Sequence, residues 1–218
     1  MIKLVKNCYF DKNSPEIIYL TKKDKHLAKV IDMIGPLQYQ LISDSYHFLI
    51  HEIIEQMLSK KVALILDKRL TETCQGEITP QSIAQLTNEQ IHQLGISKPK
   101  VTYIKNLTVA LTCKKLELKT LNTLSNKQVI QKLTQIKGIG NWSAKMYLIF
   151  ALDRRDVLPF EDGAFLESFR WVYKPKDSSV KSIQKKCQKW HPYTSIAARF
   201  LYKAQDLGLT KTPFHLFK

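Results

Sequence analysis

Two short stretches of this chain hold residue types at spacings that could do chemistry. One is Ile136-Lys137-Gly138-Ile139-Gly140, set between two apolar-periodic runs, and the other is the acidic pair Glu161 and Asp162 closing the run Asp156-Val-Leu-Pro-Phe-Glu-Asp162. A turn needs glycine where φ is positive or where a side chain would collide with an approaching backbone. A helix that starts near Asn141 directs the N–H groups of its first turn at whatever lies before it, a setting suited to a phosphate. Such contacts fix position along a polyanion without reading its sequence. A carboxylate in a loop can stabilise positive charge that develops on a substrate or orient an attacking water. The side chains alone do not choose between Glu161 and Asp162, and many helical hairpins contain a Gly-x-Gly turn.

The charge balance favours the same partner. With 34 Lys and Arg against 19 Asp and Glu, the 218 residues carry +15 and a pI near 9.6, a footprint that points to nucleic acid ahead of an anionic membrane surface. No apolar run approaches the roughly 18 residues of a membrane span, and the start MIKLVKNCYFDKN lacks the apolar core of a secretion signal. A cytoplasmic protein is expected, nucleoid-associated if the host is bacterial. Cys8, Cys74, Cys113 and Cys187 are scattered, as are the six histidines, so no metal or cluster site is expected.

The elements that would position these residues read as helices. Residues 2–20 alternate weakly and suggest short strands or an extended leader. From Asp24 a helix carries Leu27, Val30, Ile31 and Ile34 and stops at Gly35-Pro36. Tyr46 to Met57 predicts another, and Ser59 separates it from a third holding Val62, Leu64, Ile65 and Leu70. Thr79-Pro80, Thr87 to Gln90 and Ser125 to Gln128 are N-terminal signals of three more helices. Between them Val101 to Leu111 marks a longer helix with Lys100, Lys105 and Lys114 on its other face. Residues 178–206 are helical in pattern with a break at His191-Pro192. Their Lys181, Lys185, Lys186, Lys189, Arg199 and Lys203 read as a solvated face or one turned to DNA.

Taken together, the hairpin I136-K-G-I-G-N-W-S-A144, the segment D156-V-L-P-F-E-D162 and the element W190-H-P-Y-T-S-I-A197 resemble the helix-hairpin-helix DNA glycosylases. The resemblance is nearest to the DNA-3-methyladenine glycosylase II branch. E55-Q-M-L-S59 is similar to that family's Gln-containing turn and L94-G-I-S-K-P-K-V-T-Y-I-K-N-L107 to the helix before its hairpin, so the likeness spans about residues 24–206.

The resemblance implies Asp162 as the essential carboxylate. It implies Trp142, Met146 and Tyr193 as the base pocket, and Gly138, Gly140, Lys137 and Asn141 as the backbone grip. Met57 is implied as a wedge that fills the gap left by a flipped base. Trp142 stands where strand-nicking relatives place a nucleophilic lysine, so base removal without lyase activity is expected. The cysteines of the iron–sulfur branch are missing. No cofactor is required on this reading, and a monovalent cation at the hairpin carbonyls is left open.

The implied fold is all-α, two helical lobes with a DNA-binding cleft and a helix-hairpin-helix motif, plus short N-terminal strands. One lobe would hold residues 37–140, the other 1–36 with 141–218. The implied partner is double-stranded DNA with damaged bases, met by a monomer. The implied function is monofunctional hydrolysis of alkylated purines, 3-methyladenine and 7-methylguanine in type, in base excision repair. The alternatives are an oxidised-base or mismatch glycosylase, or a non-catalytic helix-hairpin-helix DNA-binding protein.

Overall fold

The computed structural model describes residues 4–217 and divides by internal packing into two units: Leu41–Leu152 with residues 4–5, and Lys6–Gln40 with residues 153–217. Among the described residues the architecture is helical, as its periodicity predicts, with one two-stranded sheet pairing β1 (Leu4–Phe10) and β2 (Leu37–Ile42). No helix among the described residues is long and apolar enough to cross a membrane.

The first unit contains α3 (Ser45–Glu55), α4 (Lys60–Thr73), α5 (Pro80–Gln85), α6 (Asn88–Gln93), α7 (Lys98–Thr112), α8 (Asn126–Thr134) and α9 (Asn141–Met146). Its helix starts are set locally. Ser59 accepts from Val62 N at the start of α4, and Thr79, Thr87 and Ser125 each close a reciprocal capping box. The core is aliphatic: Leu49, Ile50, Ile53, Ile54, Ile104, Leu107 and Leu133 are wholly buried. Across it α3 packs on α4 and α7, and α9 packs on α8 and α3. That packing keeps residues 141–152 with this unit, so the division falls beyond the hairpin rather than at residue 140 as expected. Residues 37–40 go with the second unit because β2 pairs with β1.

The second unit contains α1 (Pro15–Lys23), α2 (Lys25–Ile34), α10 (Gly163–Tyr173), α11 (Val180–Cys187) and α12 (Thr194–Asp206). Here α12 packs on α10 and α2, and α2 on α1. Asp24 is a buried polar hub. One oxygen caps α2 through His26 N at 3.0 Å and Leu27 N at 3.3 Å, while the other accepts from Tyr173 Oη at 2.6 Å and Trp190 Nε1 at 2.8 Å and pairs with Lys189 Nζ at 2.9 Å. Burial works against its charge, but these donors outweigh it and hold the carboxyl below its ordinary value.

Two sequence expectations are corrected, and a third element gains partners that the sequence did not show. Glu16 to Leu20 is helix, not strand: Ser14-Pro15 starts α1 with proline in its first turn, and Ile17 and Leu20 face inward. On α7 the ammonium groups of Lys100 and Lys105 are not left to solvent. Each ammonium folds back to cap a neighbouring chain end, Lys100 on Ile54 O at 2.8 Å and Gln56 O at 2.6 Å, Lys105 on Ile83 O at 2.8 Å and on Leu86 O. Arg199 is buried, its guanidinium 3.6 Å from the centroid of the Tyr39 ring, so it belongs to neither a solvated nor a DNA-facing stripe.

Candidate active site and nucleic-acid interface

In the first unit the hairpin is built by α8, the turn 135–140 and α9. Ile136 and Ile139 are buried, and the bond from Ile139 N to Ile136 O at 3.0 Å closes the turn between them. The two glycines answer different needs. Gly138 has φ +111, and a Cβ there would lie 2.3 Å from Tyr103 Cβ, so both conformation and space demand glycine. Gly140 has ordinary extended backbone, φ −93 and ψ −179, and a Cβ added to it would meet nothing within 4 Å. The fold does not require it. As N-cap of α9, however, it brings no side chain to the first-turn N–H groups, and Lys137 and Asn141 are exposed on either side.

The Gln-containing turn meets this hairpin. Gln56 Nε2 donates to Gly138 O at 2.9 Å, and Asn106 Nδ2 of α7 donates to Lys137 O at 3.2 Å. Next to Gln56, Met57 has φ +60 and is 101% exposed, whereas Ile53 and Ile54 before it are wholly buried. A large apolar side chain held in left-handed backbone and offered entirely to solvent is not core packing. Trp142, on the first turn of α9, is half-buried, while Met146 at 4% exposure presents almost no surface. Beyond Met146 the helix widens into a π turn over Tyr147–Ala151, which the periodicity did not reveal.

In the second unit the acidic loop is tied along the start of α12. Ser195 N donates to Arg155 O at 2.9 Å, and the Ser195 hydroxyl accepts from Val157 N at 2.9 Å and donates to Val157 O at 3.1 Å. Asp156 accepts from Thr194 Oγ1 at 2.9 Å and stands 2.6 Å from His191 Nδ1. Thr194 and Ser195 are buried, and sequence reasoning missed their role. The stretch Trp190 to Ala197 carries part of the family resemblance, but a serine gives no sign of a partner 38 positions away.

The loop ends at Asp162, which caps α10: its Oδ1 accepts from Phe165 N at 2.7 Å. That bond fixes the carboxyl group, and only 9% of the residue is exposed. Glu161 beside it is exposed. Tyr193, at the N-cap of α12, is half-buried and meets Tyr19 edge-on, ring centroids 5.4 Å apart at 77°. Among the described residues no group of three or more His, Cys, Asp or Glu side chains is arranged to hold a metal ion.

Each unit thus presents its own set: hairpin, Met57 turn and Trp142 in the first, Asp162 and Tyr193 in the second. The chain is 29% identical over 198 residues to DNA-3-methyladenine glycosylase 1 of Schizosaccharomyces pombe, covering 88% of this chain and 87% of that protein. Among solved structures, DNA-3-methyladenine glycosidase of Bacillus halodurans is similar with a TM-score of 0.84 and 30% identity, covering 96% of this chain and 97% of that one. The 3-methyladenine DNA glycosylase of S. pombe in complex with abasic DNA follows at TM-score 0.76 and 27% identity, covering 87% and 95%. The family described as HhH-GPD superfamily base excision DNA repair protein matches residues 50–192. With its hairpin glycines, Gln turn and carboxylate loop inside that span, this chain belongs to the HhH-GPD superfamily of base excision DNA repair proteins.

Proposed function

We propose that the protein is a monofunctional DNA glycosylase that hydrolyses the N-glycosidic bond of alkylated purines, 3-methyladenine and 7-methylguanine in type, during base excision repair. Asp162 carries this reading. A carboxylate held at one angle by the first turn of α10 is a preorganised negative group. It suits a reaction in which the sugar becomes positive as the base departs. Alkylation at a ring nitrogen makes the base cationic and a good leaving group, so one carboxylate suffices and no second acid is needed.

The hairpin supplies the grip. Main-chain amides at the Gly140 end of α9, with Lys137 and Asn141, hold a phosphate, and Met57 enters the stack where the damaged nucleotide has rotated out. Trp142 and Tyr193 are the aromatic candidates for a cationic base, worth about 0.5–2 kcal/mol of preference over a neutral one. Met146, almost without surface, is not carried into this reading. Two hairpin carbonyls already accept from Gln56 and Asn106, and a monovalent cation at the turn would use others.

Trp142 in place of a lysine supports hydrolysis without strand cleavage. Borohydride added during turnover should trap no protein–DNA adduct, and a trapped adduct would contradict the assignment. Asp162→Asn keeps a good capping residue and should lower release of methylated bases by about 10²–10³-fold while DNA affinity stays within a few-fold. Unchanged release would sink the role of Asp162. Released bases, compared across methylated, oxidised and mismatched duplexes, decide between this function and the non-catalytic or oxidised-base alternatives.

A further inference from the structure

Met57 is held in a left-handed conformation that a non-glycine residue adopts only at an energetic cost. Its side chain, wholly in solvent, makes no contact that could offset this. Something else must fix the turn. Leu58 N donates to Glu55 O at 2.8 Å, closing the turn behind it. In front, two carbonyls at the C-terminal end of α3, Ile54 O and Gln56 O, both accept from Lys100 Nζ, at 2.8 and 2.6 Å. A cation at a helix C-terminus is favourable in its own right.

Lys100 also comes from a particular place. It is in the first turn of α7, and one turn on is Tyr103, against which Gly138 is pressed; a further turn on is Asn106, which holds Lys137 O. Positions 100, 103 and 106 lie along one side of α7 at the i, i+3 spacing. That one side therefore touches the Met57 turn at one end and the hairpin at the other. Gln56, whose carbonyl accepts from Lys100 and whose amide donates to Gly138 O, closes the circuit.

We infer that Lys100 is a positioning residue for the Met57 wedge, and that α7 sets the spacing between wedge and phosphate-binding turn. The inference rests on the glycosylase reading, in which Met57 enters the DNA. On this view Lys100 itself touches no DNA. Lys100 is half-buried, and burial lowers its proton affinity, while the two carbonyls it reaches hold the charge in place against that desolvation.

The test compares Lys100→Met, which keeps the stem and loses the ammonium, with Met57→Ala and with the double variant. A duplex carrying 2-aminopurine opposite an abasic analogue brightens when a wedge unstacks it. The wild type should brighten on binding, Lys100→Met should lose at least half of that rise, and the double variant should match Met57→Ala. Single-turnover release of 7-methylguanine should slow about tenfold when the lesion is paired with cytosine and less than threefold when it is mismatched, because a weakened pair needs less help to open. An unchanged rise, equal slowing on both duplexes, or additivity with Met57→Ala would overturn the inference. If Lys100→Met does not fold, Lys100→Arg takes its place: it can still donate to both carbonyls and must keep the rise, and losing it overturns the inference. A wild type that neither brightens the probe nor releases base defeats the glycosylase reading and this inference with it. A wild type that does both beside an indistinguishable Lys100→Met defeats the inference alone.

Discussion

Asp162 caps α10 and, on the proposed function, also carries the reaction, and the two jobs can be separated. As a cap it satisfies Phe165 N at the start of α10, and replacing a capping Asp by Ala costs about 1 kcal/mol. Asp162→Ala should therefore lower the urea midpoint where Asp162→Asn leaves it nearly unchanged, while both abolish most base release. The two hairpin glycines separate in the same way. Gly138→Ala meets Tyr103 and a positive φ together and should cost about 2–4 kcal/mol of stability. Gly140→Ala fills open space in ordinary backbone, so the fold should hold to within about 0.5 kcal/mol. Its cost should appear instead in DNA affinity, measured by anisotropy; equal effects of the two substitutions on stability would contradict this division. The pattern Gly-x-Gly was readable in the sequence, but the difference between its glycines was not, since it depends on a tyrosine 35 positions earlier that no local rule connects to the turn.

At the level of helices, legibility followed range. Capping boxes at Thr79, Thr87 and Ser125 involve residues three apart, and all three starts are where the sequence puts them. The partners of the α7 lysines were not legible, because a long flexible side chain can fold back to carbonyls 46 or 22 positions away, which periodicity cannot register. The same holds for a buried cluster between α3 and α4. His47 Nε2 lies 3.1 Å from both Asp67 oxygens, and His51 sits between Asp67 at 3.2 Å and Glu55 at 3.5 Å. Burial disfavours a charged His51 ring, yet the two carboxylates outweigh it and push it up to about 10. For Asp67, burial is likewise outweighed, by the imidazoles, which bring it down to about 2. A raised imidazole stabilises the fold fully below its unfolded value of about 6.5, and that contribution is lost as pH rises through about 10. The lowered carboxyl contributes above about 3.9 and is lost as pH falls through about 2. The gap in urea midpoint between wild type and His51→Gln should thus be widest near pH 5–6 and shrink by pH 10. A gap that does not change with pH would show that His51 is held by packing rather than charge.

For the whole molecule, +15 is the first fact the sequence supplies and the one that most constrains how it works. If 6–10 phosphates are neutralised on binding, affinity for undamaged DNA should fall by about 10³–10⁵ between 50 and 200 mM salt. Base release within the bound complex, measured in single turnover with protein in excess, should hardly change over the same range. A flat affinity would refute a backbone grip. The order of segments along the chain has a further consequence, one in time. The first unit is almost one continuous piece, Leu41–Leu152, whereas the second needs Lys6–Gln40 joined to Asp153–Lys218. At roughly 5–20 residues per second of synthesis, the last 66 residues take roughly 3–13 s to appear. Throughout that interval the hairpin and its wedge have all the residues they need, while the segment carrying Asp162 is still being made. On the proposed function, a nascent chain of this protein has the residues that hold DNA before it has the whole segment that releases a base from it.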